Sequence, residues 1–254
     1  MRPKRKCKQH KPFNYGSRTA IQLDGATIYG ETSVLIPTLT GGSYSVSAWI
    51  YFPAGSVVVS FEGLISHHNA AGGNKVVVLM NLGTYGGVKG RLWGFDAGGG
   101  SPWSTMSASA SDPLNDQVWH NVIWTYNPTT NAARGYIDGV LQITGGLNTN
   151  VAMAVDDQLS LGQEWDGAAP SDLFEGQFMN VAYWDRILSA TEAATIGTGS
   201  PGSNLQGMPA GGPLHYYSVG NGDPIPVCID RGPGKVNITW PNAIASDIVA
   251  GSNT

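Results

Sequence analysis

Charge is scarce in this chain: Asp, Glu, Lys and Arg together make up 13% of its 254 residues, against 41% hydrophobic residues. A long helical bundle draws on abundant Glu, Lys, Leu and Ala, so this composition excludes one. Cysteine is scarcer still. Cys7 and Cys228 stand near opposite ends, which makes neither a disulfide framework nor a zinc site, and the chain is expected to fold in a reducing compartment. No apolar run reaches the roughly 18 residues of a membrane span. No apolar stretch follows the basic start as a secretory signal requires. Gly-x-Ser-x-Gly elbows, Walker loops and Cys-x-x-Cys pairs are missing as well.

Glycine is plentiful, at 35 positions, with proline at 15. Many turns and few charges suit an all-β chain of one large domain. Strand signals recur at Thr19 to Leu23, Tyr44 to Phe52, Lys75 to Leu82, Arg91 to Phe95, Trp119 to Tyr126, Ala133 to Ile137, Gln158 to Leu161 and Gln177 to Tyr183. In Tyr44 to Tyr51 the larger apolar side chains alternate, as in a strand with one buried face. Asp138-Gly139 reads as a hairpin turn into Val140 to Ile143. One helix start stands out: Ser189-Ala-Thr-Glu192 has the form of a capping box, predicting a short helix that ends near Gly197. A Gly, Ser and Pro-rich loop spans Gly197 to Gly212, and residues 201–254 complete or extend the sandwich.

Three segments together resemble the laminin-G-like and pentraxin branch of the concanavalin A-like superfamily. They are Tyr44-Ser-Val-Ser-Ala-Trp-Ile-Tyr51; Trp119-His-Asn-Val-Ile-Trp-Thr-Tyr126 with Gly135-Tyr-Ile-Asp-Gly-Val-Leu-Gln142; and Leu159-Ser-Leu-Gly-Gln-Glu-Trp-Asp166 continuing through Phe174 to Ser189. The resemblance implies a two-layer antiparallel jelly roll over about residues 13–200, with loops at the rim of a concave sheet. One departure from the pattern is informative. The positions matching the pentraxin inter-strand disulfide are Ser47 and Ile123, which cannot form it.

The resemblance also implies calcium ligands at Glu164 and Asp166, with Asp172 near a further one. Carboxylates and carbonyls on loops supply the oxygens calcium needs. An upstream Asp-Asn ligand pair corresponds to Gly73-Asn74, so one carboxylate is lost and Asn74 remains. Acidic surface loops without metal are the alternative. Trp103 and Trp165 stand among Gly, Ser and Asp, where exposed rings could stack on a ligand. His67 and His68, adjacent on a strand, point to opposite faces and are set aside as a joint site, and His120 reads as structural. Related enzymes carry a Glu-x-Asp-x-x-Glu strand motif that places two carboxylates about one bond; it is absent here.

Residues 1–12 form a basic arm, with Arg2, Lys4, Arg5, Lys6, Lys8 and Lys11 and no acid. A solvated tail is one reading; docking onto nucleic acid, an acidic partner or a neighbouring subunit is the other. The expectation is a non-enzymatic structural or binding protein. A virus or phage particle subunit, made in the host cytoplasm and assembling with itself or other virion proteins, comes first. A calcium-dependent glycan-binding module is the alternative, and a glycoside hydrolase ranks below both.

Overall fold

The computed structural model describes residues 19–32, 42–54, 62–68, 74–81, 91–96, 104–107, 114, 116–145, 158–166, 169–220 and 222–251, with backbone alone over 74–81, 91–96, 104–107 and at Asp166. Two antiparallel sheets face one another in a jelly-roll sandwich. Numbered along the chain, one sheet contains β1 (Thr19–Asp24), β3 (Tyr44–Tyr51), β8 (His120–Asn127), β9 (Ala132–Ile137), β10 (Val140–Gly145), β14 (Glu175–Trp184), β15 (His215–Tyr217) and β18 (Ile248–Ala250). Its order is β10-β9-β8-β3-β14-β1-β18, and β15 pairs with the far half of β14. The other contains β2 (Gly30–Thr32), β4 (Glu62–His68), β5 (Asn74–Asn81), β6 (Arg91–Asp96), β7 (Ser104–Ser107), β11 (Gln158–Leu161), β16 (Val227–Cys228) and β17 (Ile238–Thr239). That order is β16-β17-β2-β11-β4-β5-β6-β7.

The main core fills the space between the sheets. Val46, Ala48 and Ile50 of β3 and Val122 and Trp124 of β8 meet Leu64 and Ile65 of β4 and Leu159 and Leu161 of β11. Burying a side chain of this size stabilises by about 1.5–3 kcal/mol. β3 is not buried on one face alone, as its alternation suggests. Every residue from Tyr44 to Ile50 is buried, because the outer face of its sheet is covered too. There Ile123, Ala182, Trp184 and Tyr216 pack beneath α1 (Ala190–Gly197), and Trp49, Met179 and Ala20 form a second patch beside Trp119. Ser47 and Ile123 lie directly opposite one another in the β3–β8 register, so the positions that match a disulfide in pentraxins are cross-strand partners here without one.

The capping box forms as its spacing predicts. Glu192 N–H donates to Ser189 Oγ at 3.2 Å, and Ser189 N–H donates to Glu192 Oε2 at 2.9 Å. Ser45 Oγ accepts from Leu188 N–H at 2.9 Å and donates to the Arg186 carbonyl at 2.8 Å, tying the helix entry to β3. The helix end rests on the β9–β10 turn, where Asp138 and Gly139 both take left-handed φ, 49° and 78°. A Cβ on Gly197 would lie 1.9 Å from the Gly139 nitrogen. Only glycine permits that approach.

Candidate functional site

The Leu-Gly-Gln-Glu-Trp-Asp segment builds a feature on the outer face of the second sheet. After β11 the chain turns at Gly162, at φ 75°, whose N–H donates to the Leu64 carbonyl at 2.9 Å. Where a bare rim loop was expected, β12 (Glu164–Asp166) and β13 (Ala169–Ser171) then pair antiparallel as the two arms of a hairpin. It lies over β4. A Cβ on Gly63 would sit 2.4 Å from the Gln163 carbonyl carbon and 2.7 Å from the Glu164 nitrogen. Gly63 N–H also donates to the Asp172 carbonyl at 2.6 Å. The missing side chain at Gly63 is what lets the hairpin lie down.

Beneath the hairpin a run of polar groups braces Trp165. His68 packs against the indole at a tilt of 36° with ring centroids 4.6 Å apart, and His68 Nε2 lies 2.8 Å from Ser160 Oγ. With the Gln163 amide oriented to suit its neighbours, its oxygen accepts from Ser160 Oγ at 2.8 Å and from Trp165 Nε1 at 2.7 Å, while its nitrogen donates to the Glu164 carbonyl at 2.7 Å. Donor and acceptor accounting then places a proton on His68 Nε2, donating to Ser160 Oγ. Trp165 is half-buried and held at both its ring and its N–H, whereas His68, Ser160 and Gln163 are buried.

Of the residues singled out by sequence, the structure brings several to this corner. Glu164 is buried at 6% exposure and accepts from Ser171 Oγ at 3.4 Å. Asp166 pairs with Ala169 in the hairpin backbone. Asp172 follows β13 with left-handed φ of 47°. Asn74 begins β5 directly across from His68, and β12 packs on β4 and β5. Among the described residues no three His, Cys, Asp or Glu side chains come together as a metal cluster. Trp103 and the arm residues Arg2, Lys4, Arg5, Lys6, Lys8 and Lys11 lie outside the described residues.

The histidines do point to opposite faces, yet setting both aside loses His68, which belongs to the Trp165 support. His67 faces the core instead, hydrogen-bonded to Tyr183 and edge-on to Tyr44. Burial, and then the neighbouring His68, hold its pKa down at about 3, so the ring is neutral. Ser160, Gln163 and Gly63 escaped notice because their roles arise only when the hairpin folds across β4. His120 lies between Asp138 Oδ2 at 2.7 Å and Asp116 Oδ1 at 3.1 Å. Burial alone would lower its pKa; the two carboxylates outweigh that, and it is raised.

The model of the concanavalin A-like lectin/glucanases superfamily matches residues 24–194. A rat (Rattus norvegicus) protein, sushi, von Willebrand factor type A, EGF and pentraxin domain-containing protein 1, is 34% identical over 93 residues, 35% of this chain. The match covers only 3% of that protein's length. Among solved structures, a candidate carbohydrate binding protein from Bacteroides ovatus aligns with TM-score 0.66 at 16% identity, over 92% of this chain and 60% of that one. A heptameric pentraxin from Limulus polyphemus aligns at 0.57 and 13% identity, over 72% and 82%. The CBM40 of the Ruminococcus gnavus IT-sialidase aligns at 0.53 and 11% identity, over 71% and 98%. At these identities the structures speak for a shared lectin-like fold.

Proposed function

Because the chain belongs to the concanavalin A-like lectin/glucanases superfamily, we propose that it is a non-catalytic carbohydrate-binding module whose ligand meets the β12–β13 corner. The observation that carries this reading is the bracing of Trp165. An indole ring gives a flat apolar face that matches the C–H face of a pyranose. Fixing the ring before binding lowers the entropy lost on association. Glu164 and Asp166 of β12 and Asn74 at the start of β5 belong to the strands of the same corner. Hydrolysis would need two carboxylates flanking one glycosidic bond. Among the described residues Glu164 is instead buried and bonded to Ser171, which supports binding without turnover.

Calcium belongs to the same proposal. The donors here are oxygens, the type a hard cation prefers. Glu164 and Asp166 would hold the ion with Asn74, and its charge would orient sugar hydroxyls. The Asp172 carbonyl accepts from Gly63 N–H, which fixes the backbone of Asp172 beside the corner. With so few acids at the corner the affinity should be weak. At a hundredfold excess over Kd, calcium would add about 2.7 kcal/mol of stability, and Asp166→Asn should remove that increment without lowering the Tm measured in chelator.

The particle-subunit reading gains no support from the proteins compared above, which are described in carbohydrate-binding, pentraxin and sialidase terms. The test is a glycan array followed by titration calorimetry on its hits. Trp165→Ala should weaken binding by about tenfold or more, about 1.4 kcal/mol, with the β fold retained by circular dichroism. Affinity that survives Trp165→Ala, or steady release of reducing sugar, would reject the proposal.

A further inference from the structure

A second concave feature lies on the opposite sheet, away from Trp165. Its volume is about 420 Å³, and Trp49, Trp119, Gln117, Asp138, Gly197 and Pro201 are among the residues that line it. Several properties of its wall share one sign. Asp138 is 41% exposed at its side chain, with the Asp116 carboxylate beyond the shared His120. Helix α1 ends here at Gly197 with no basic residue in its last turn, so its partial negative pole is uncompensated. Indole faces attract cations through their quadrupole. Among its described lining residues there is no lysine or arginine.

The chain's own charge is divided to match. Residues 1–18 hold seven of its 14 Lys and Arg (Arg2, Lys4, Arg5, Lys6, Lys8, Lys11 and Arg18) and no acid. Residues 19–254 therefore carry the other seven against 18 acids, a formal charge of 7 − 18 = −11. The described chain begins at β1, on the same outer face. Ala20 packs with Trp49 and Met179, and Trp119 packs against that cluster. From β1 to β9 the sheet runs β1-β14-β3-β8-β9, four steps of about 4.8 Å, so Asp138 is about 19 Å from Ala20. Seven extended residues from Arg18 back to Lys11 span about 23 Å. Lys11 can reach the pocket.

We propose that the pocket bounded by Trp49, Trp119 and Asp138 receives a basic side chain of the chain's own N-terminal segment, with Lys11 the nearest residue of sufficient reach. The ammonium sits against Asp138 and the indole faces while the segment crosses the outer face of the sheet.

Zero-length carbodiimide coupling of the full chain, followed by peptide mass spectrometry of the monomer band, tests this. Lys11 or Lys8 should link to Asp138 or Asp116. Trp119→Ala keeps both carboxylates but removes a cation–π partner, and should cut the yield about fivefold, about 1 kcal/mol; Trp119→Phe should restore it. Should Trp119→Ala fail to fold, a dye on Cys7 serves instead, since the other cysteine, Cys228, is buried. Its anisotropy should fall in about 1 M salt, where the screening length is about 3 Å. Unchanged yield in Trp119→Ala, arm lysines linked evenly over other acids, links only between copies, or anisotropy indifferent to salt would overturn the proposal.

Discussion

At the scale of single residues the histidines divide by environment, and their effects on stability have opposite signs. His67 is neutral in the fold because burial holds its pKa at about 3, while in the unfolded chain it titrates near 6.5. The unfolded state therefore binds the extra proton, and stability is lost as pH falls from about 6.5 toward 3. The loss should be on the order of 3 kcal/mol by pH 4. His120 runs the other way. Its raised pKa gives stability that is present below its unfolded value and fades as pH rises through the folded one. Urea midpoints measured from pH 7 to 4 should fall, and His67→Phe should flatten that fall; a midpoint equally acid-sensitive in His67→Phe would reject the assignment. The two histidines could be placed on opposite faces from sequence because strand periodicity is local. That His68 supports Trp165 could not, since Ser160 is 92 residues away from it along the chain.

Elements show the same division. The capping box of α1 was legible because its two partners are three residues apart, Ser189 and Glu192. Ser189→Ala should cost about 1 kcal/mol, a Tm loss of about 2–4 °C by thermal melt. Glu192 adds a part-buried ion pair with Arg186 at 2.6 Å, whose hydrogen bond holds the carboxyl pKa down to about 2. The β12–β13 hairpin was read as loop because strands of three residues are too short to show a period. Of β4 only the two histidines were read as strand, for a different reason. It carries Glu62, Gly63, Ser66 and two histidines, all buried, and polarity there reflects partners that arrive from other strands. Gly63→Ala tests the hairpin directly. The new Cβ would sit 2.4 Å from Gln163, so the hairpin must lift. Glycan affinity should drop about tenfold or more while stability falls by about 1–3 kcal/mol. Unaltered binding would mean that the hairpin does not form the site.

For the molecule as a whole, the far C-terminal residues finish both layers of the sandwich. β15 and β18 join the first sheet and β16 and β17 the second. His215 of β15 is locked to Asp230 at 2.7 Å, and Asp230 also accepts from the backbone N–H groups of Tyr216, Gly232 and Val236. The sandwich and its superfamily were legible because alternation and the Leu-Gly-Gln-Glu-x-Asp to Trp-Asp spacing are sequence-wide signals. The pairing of β17 with β2 and β16 was not, since two-residue strands carry too little sequence to set a register. The account holds that one corner, the β12–β13 hairpin over β4, takes a sugar without cleaving it. Hydrogen–deuterium exchange of the full chain, with and without a saturating array-identified oligosaccharide, tests that most directly. Protection should concentrate in residues 62–68 and 158–172 and leave the α1 face unchanged, with the oligosaccharide recovered intact. Protection confined to the α1 face, or recovery of a cleaved sugar, would contradict it.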